Sequence, residues 1–353
     1  MSHPSDSAED TARRGRGVTA GCEPTPGSCR PKWRLDPDSA VATAGSCFAQ
    51  HIGRALRESG MTVLDAEPKP AGMTGEMARR YGYGLYSARY GNIYTARQMR
   101  ELLEDALRGQ VNRKLFYMRD GRHYDALRPG VEPEGCDTLE EAMEMRREHL
   151  AKVTALMQVS DVLVFTLGLT EGWVDRRARR VLALAPGVIA GRYRERRYGF
   201  VNFGYDAVMQ DLAEIRRMLR LCNPRIRMLL TVSPVPLTAT ASGEHVLTAS
   251  RYSKAVLRAA AGDFSAAHRN VDYFPSYELV TAAPSERAFE DNLRSVRKDM
   301  VARVMSAFLA AHGLSPAPAP AATGEAGETS AGDDGAGEET FTCEEALLEA
   351  FRK

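Results

Sequence analysis

Residues 41 to 52, Val41-Ala42-Thr43-Ala44-Gly45-Ser46-Cys47-Phe48-Ala49-Gln50-His51-Ile52, carry the change of period that sets the architecture of this chain. The first four are small, apolar or β-branched and stop at a glycine. Apolar residues then recur at Phe48, Ile52, Ala55 and Leu56, the spacing of an amphipathic helix that runs to about Ser59. A strand that passes through a glycine straight into a helix is the opening of a βαβ unit. The same alternation continues. Met61 to Leu64 reads as a second strand, and Thr95 to Leu107 as a helix with Thr95 as N-cap. Thr138 and Glu141 form a capping box before a long helix to about Val159. The run from Asp161 to Leu167 is the clearest buried strand and stops at Gly168. A helix from Tyr205 to Leu221, closed by Asn223-Pro224, leads to a strand from Arg227 to Val232. Residues 248 to 261 are helical, Val271 to Phe274 a short strand, and 297 to 312 the last helix.

This order predicts an α/β protein: a central parallel sheet covered by helices on both faces, a three-layer α/β/α sandwich. Ligands of such sheets bind beyond the carboxyl ends of the strands. That rule brings together Gly45-Ser46, Gly168 to Glu171, Ser233-Pro234 and Pro275-Ser276. The segment from about 66 to 137 has weaker periodicity and reads as an insertion covering the site.

The folded part is expected at about 31 to 313 of the 353 residues. Residues 1 to 30 are rich in Ser, Gly, Pro and Arg and hold too little apolar surface to offset the entropy of ordering. A Pro/Ala and then Gly/Glu/Asp tract at about 314 to 340 reads as a disordered linker. Residues 341 to 353 follow as a short amphipathic helix, with Phe341, Leu347, Leu348 and Phe351 on one stripe. It is either a docking element for a protein partner or a marginal helix with none.

Composition narrows the function. A formal net charge of +1 gives no field for holding nucleic acid or an anionic membrane, and the arginine runs at 176 to 180 and 192 to 197 read as solvated faces. No segment reaches the roughly 18–20 apolar residues of a membrane span, and the first residues lack the apolar core of a secretory signal. The six cysteines show no CxxC spacing and no histidine at ligand distance, so no metal is expected; their scatter fits a reducing, cytoplasmic location. Neither GxGxxG nor GxxxxGK[ST] is present, and no cofactor is expected.

Ser46 is the centre of interest. A serine just after a strand and at the start of a helix projects its hydroxyl from the sheet edge, beside the free N–H groups of the first turn, where an oxyanion can be held. The same position is also the commonest one for a simple N-cap. Cys47 is a competing nucleophile, or a core residue.

Five segments together resemble the GSCFA family. They are Gly45-Ser46-Cys47-Phe48-Ala49, Tyr86 to Gln98, Thr166 to Trp173, Thr231 to Pro236 and Tyr273 to Glu278, spread over about 31 to 310. That family is similar to the SGNH/GDSL hydrolases, which implies a flavodoxin-like sandwich and the chemistry of an esterase or acyl (acetyl) transferase. The substrate expected from the resemblance is an acyl ester, including one on a carbohydrate. In those hydrolases the first-block serine is the nucleophile, which maps onto Ser46. Gly91 is the best match for the N–H donor of the second block, with Asn92 beside it as an amide donor. Thr170 stands where the third-block asparagine is expected.

The last block is Asp-x-x-His in those hydrolases, and the matching stretch here is Asp291-Asn292-Leu293-Arg294. Arg294 cannot accept a proton at neutral pH. The base is therefore open: His51, His245 or Glu171 takes the role, or the chain is a non-catalytic binding protein on the same fold. Glu171 has the alternative of an ion pair with Arg176, and Glu278 is a weaker candidate of the same kind.

Overall fold

The structure is a computed structural model that describes residues 29–315. The arm up to residue 28, and the tether and terminal helix from residue 316 onward, lie outside the described residues.

Four parallel strands form the central sheet: β1 (Val41–Gly45), β4 (Val162–Leu167), β8 (Arg227–Val232) and β9 (Val271–Phe274), in the order β1-β4-β8-β9. Their rows are continuous, since Gly45 pairs with Thr166, Thr166 with Thr231 and Thr231 with Phe274. Val63 adds a single parallel bridge on the outer side of β1, where a longer strand was expected. The chain thus leaves β1 toward one side for Val63 and returns on its other side at β4. That reversal makes the β1/β4 crevice the switch point of a flavodoxin-like order, where ligands of open α/β sheets bind.

Successive strand residues face opposite layers. Ala42, Ala44, Leu163, Phe165, Met228 and Leu230 pack into one core. Helices α3 (Ala96–Arg108), α4 (Leu139–Val159), α5 (Tyr205–Cys222) and α6 (Val246–Ala267) cover that face. Val41, Val162, Val164 and Leu229 pack into the other core, under α1 (Ala49–Glu58) and α9 (Lys298–His312). The three-layer sandwich follows from this alternation.

Local signals set the helix ends. Thr95 Oγ1 accepts from the Gln98 N–H while the Gln98 side chain accepts from the Thr95 N–H, a complete capping box. At α4 the box is one-sided: Thr138 accepts from the Glu141 N–H, but Glu141 reaches past it to the N–H of Asp137. The short helices α2 (Gly75–Arg80), α7 (Ser276–Thr281) and α8 (Ser285–Ala288) fill connections.

A second, antiparallel lobe was not anticipated from the sequence. The strands β5 (Glu171–Asp175), β6 (Arg180–Leu182) and β7 (Tyr198–Asn202) form a sheet in the order β6-β5-β7. It packs on the hairpin of β2 (Phe116–Arg119) and β3 (Arg122–Asp125) through Leu115, Tyr117, Tyr124, Leu182 and Tyr198. Because only three residues separate β4 from β5, this lobe grows from the carboxyl edge of the main sheet. No helix among the described residues is long and apolar enough to cross a membrane.

Candidate active site

Gly45 ends β1 with φ +137, and a Cβ on it would lie 2.4 Å from the Thr166 carbonyl oxygen. Only glycine fits this close approach of two strands. Ser46 follows in a tight turn: its N–H donates to Thr166 O at 3.2 Å and its carbonyl accepts from Ala49 N at 2.8 Å. The cap position of α1 falls on Phe48, which makes no side-chain cap bond. Ser46 is 3% exposed, and its Oγ has no hydrogen-bond partner among the described residues. The simple N-cap role is thereby removed.

The β4 exit packs directly on this serine. A Cβ on Gly168 would stand 2.9 Å from Ser46 Cβ and 3.4 Å from its Oγ. The segment leading into α3 closes the third side, with Ile93 N donating to Gly45 O at 2.9 Å. Tyr94 O accepts the N–H groups of both Gly168 and Leu169, at 3.0 and 2.8 Å. Thr166 Oγ1 and Thr170 Oγ1 are also buried without a hydrogen-bond partner among the described residues. The Thr170 N–H donates to Ser253 Oγ at 3.0 Å. Ser233 and Ser276 stand further along the same edge: Ser233 N donates to Leu167 O, and Ser276 Oγ to Val232 O.

Other anticipated residues fall into distinct places. Asn92 is buried beside half-buried Gly91 and accepts at Oδ1 from Tyr86 OH at 2.5 Å, while Tyr86 accepts from Gln50 Nε2 at 3.1 Å. This chain fixes the amide and turns its NH₂ edge away from Tyr86. His51 packs its ring 5.3 Å from that of Phe48, and burial beside Arg54 lowers its pKa to about 4. It is therefore neutral at pH 7, but it is not hydrogen-bonded to Ser46 Oγ. His245 caps α6, accepting from Leu247 N. Asp291 is exposed in the turn between Phe289 and Val296. Arg294 in the same turn reaches back and donates to Thr238 Oγ1 at 2.5 Å. Glu278 is held by Arg258 and Tyr273.

Glu171 does not pair with Arg176. It accepts from Thr240 Oγ1 at 2.8 Å, and burial raises its pKa. It lines a cleft of about 270 Å³ together with Tyr94, Leu169, Trp173, Phe200 and Thr240. Gly168 touches Ser46 and Leu169 lines the cleft, so one peptide separates the two.

Sequence reasoning missed Lys254. It sits on α6, is 2% exposed, and donates from Nζ to Gly168 O at 2.7 Å. The signal was present in the helical phase, since Lys254 shares the buried face with Ser250, Leu257 and Ala261.

The model of the GSCFA family matches residues 40–308, most of the chain and all of the parallel sheet. The chain belongs to the GSCFA family. No curated protein matches it. Among solved structures it is similar to a carbohydrate esterase family 3 protein from Talaromyces cellulolyticus. The identity is 9% and the TM-score 0.34, over 76% of this chain and 94% of that one. Likeness at that level carries no weight for function. Among the described residues, no group of three or more His, Cys, Asp or Glu side chains could hold a metal ion.

Proposed function

We propose that this GSCFA protein is an SGNH-like serine ester hydrolase or acyl (acetyl) transferase with Ser46 as nucleophile. The observation that carries the reading is the Ser46 hydroxyl: buried at the switch point, past the end of β1, and bonded to no described residue. Leaving a buried hydroxyl unpaired costs about 1–3 kcal/mol. A cap or core role would have removed that cost, whereas a nucleophile needs the oxygen available.

In this reading Ser46 Oγ attacks the acyl carbonyl and the alcohol part leaves with the proton. The acyl group then passes from Oγ to water or to another hydroxyl. The N–H of Gly91 and the amide of Asn92 serve the oxyanion. The N–H of Ser46 would join them only by releasing Thr166 O. The cleft takes the alcohol part. Trp173 and Phe200 offer apolar faces, and Glu171 and Thr240 offer polar groups, which suits a carbohydrate ester. Cys29, Cys136 and Cys222, which form no disulfide, support a reducing, cytoplasmic setting.

A second reading, a binding protein without turnover, draws on Arg294. By the resemblance it stands where those hydrolases carry their histidine, and it is tied to the cleft wall at Thr238. A panel of short-chain acyl esters, run with wild type and Ser46→Ala, separates the two. Turnover lost in the variant supports the hydrolase or transferase. No turnover on any ester, with no phosphonate adduct on Ser46, supports the binding protein.

A further inference from the structure

We propose that Lys254 is the group that takes the proton from Ser46, so that the site works as a serine–lysine pair. The proposal rests on the reading of Ser46 as nucleophile.

The two side chains share one neighbour. Lys254 Nζ lies 2.7 Å from the carbonyl oxygen of Gly168, and the α-carbon of the same residue packs on Ser46, leaving no room for a methyl group between them. Lys254 belongs to the α6 face that is otherwise apolar or small, and it is 2% exposed. Lysine amines held in buried sites serve as general bases.

The histidines among the described residues are engaged elsewhere. His149 Nδ1 lies 2.7 Å from Glu67, His268 Nδ1 lies 2.9 Å from the Phe264 carbonyl, and His312 Nδ1 accepts from Leu35 N. His123 lies away in the β2–β3 hairpin, its backbone paired with Met118, and His245 caps α6. His51 packs on Phe48. Arg294 cannot accept a proton. Lys254 is the basic side chain that the fold delivers to the residue touching Ser46.

The chemistry balances without a co-reactant. Nζ, as the free amine, swings from Gly168 O to Ser46 Oγ and accepts its proton as the Oγ–acyl bond forms. The resulting ammonium returns that proton to the departing alkoxide as the ester C–O bond breaks. Water or an acceptor hydroxyl repeats the cycle on the acyl-serine, and the free acid or new ester leaves. Between steps the amine donates an N–H to Gly168 O and holds the β4 exit against Ser46.

The test measures the rate at which an alkyl fluorophosphonate labels Ser46 in the full chain from pH 6 to 10. Peptide mass spectrometry verifies the site, and thermal melting verifies the fold of each variant. Wild type is expected to label faster as pH rises. Lys254→Met and Lys254→Arg are both expected to label about 100-fold more slowly or worse. Arginine keeps a donor for Gly168 O but cannot act as a base. Labelling of Lys254→Arg within about threefold of wild type would reduce Lys254 to a positioning residue and overturn the proposal. Should neither variant fold, His51→Gln decides. Labelling lost there assigns the proton transfer to the histidine and overturns the lysine. Labelling kept, with the wild-type pH profile, supports it. A wild type that neither labels nor turns over any ester removes the Ser46 reading and this proposal with it. Active wild type with equally active Lys254 variants removes only the lysine.

Discussion

The carboxyl edge of the parallel sheet and the antiparallel lobe beside it are both polar and buried, yet the hydroxyls around Ser46 and the aspartates of the lobe stand in opposite states. At the sheet edge the hydroxyls of Ser46, Thr166 and Thr170 have no hydrogen-bond partner among the described residues. In and against the lobe the buried aspartates are held by arginines. Asp175 Oδ2 accepts from Arg197 at 2.6 and 2.8 Å, and its Oδ1 accepts the N–H groups of Arg177 and Ala178. Asp105 is bound by Arg180 at 2.6 Å. Asp125 is bound by Arg128 at 3.0 Å, with Arg146 at 3.5 Å, and its pKa is lowered by Arg146 and Arg128 against the pull of burial. A satisfied buried charge holds structure together, and removing one partner strands the other. An unsatisfied buried hydroxyl lowers stability and leaves its oxygen available. In the proposed reading the lobe acts as a clamp and the sheet edge holds the chemistry.

Four measurements probe this contrast. The largest effect is expected for Ser46→Ala. Ester turnover should fall by about 10³-fold or more, while urea denaturation shows stability within about 0.5 kcal/mol of wild type, or above it. A marked loss of stability would show that the hydroxyl is structural after all.

Next is Asp175→Ala, which leaves Arg197 and two backbone donors without their acceptor. A loss of about 3 kcal/mol is expected in denaturant unfolding. A cost under about 0.5 kcal/mol would place the lobe's ion pairs with ordinary surface pairs.

Gly168→Ala spans both regions. Its methyl group would meet Ser46 Cβ at 2.9 Å and Tyr94 O at 3.1 Å. About 2 kcal/mol of destabilisation is expected, together with slower phosphonate labelling of Ser46. Unchanged labelling would show that the β4 exit does not govern the serine.

The smallest effect concerns Glu101 on α3, whose Oε2 accepts from Val181 N of the lobe at 2.7 Å. Burial raises its pKa from 4.5 to about 7, even with Arg180, Arg97 and Arg100 opposing. The folded state therefore holds a proton that the unfolded chain has lost. Its contribution is fully present below pH 4.5 and is lost as pH rises through about 7. Glu101→Gln keeps the acceptor and removes the titration. It should gain up to about 2 kcal/mol more over wild type at pH 8 than at pH 5, read from urea melts. A gain independent of pH would place the carboxylate in a more polar setting.

Much of the sheet was legible in the sequence because its signals are local. Arg227 to Val232 and Val271 to Phe274 are apolar runs bounded by turn residues, and both are strands with those limits. Gly45 and Gly168 punctuate strands at the point where a ligand edge is expected, and both lie against Ser46 or its strand neighbour. The lobe was not legible. Glu171 to Asn202 holds short strands interrupted by arginines, and its stability comes from ion pairs and from contacts with the β2–β3 hairpin far away in sequence. The Glu171–Arg176 pairing failed for a related reason. Nearness along the chain gave no account of Thr240, which arrives from the loop after β8.

For Ser46, the order of residues was enough to place it at the exit of the first strand, because a change of period from two to 3.6 at a glycine is written in the chain itself. The sequence also excluded Arg294 as a base, since a guanidinium stays charged wherever it lies. Whether the serine caps a helix or keeps a free hydroxyl was settled by the fold, through a turn that moves the cap to Phe48. The fold alone also brought Lys254, from a helix about two hundred residues away, to the carbonyl of the glycine that touches Ser46. Burial and hydrogen-bond partnership are properties of three-dimensional packing, and no local period encodes them.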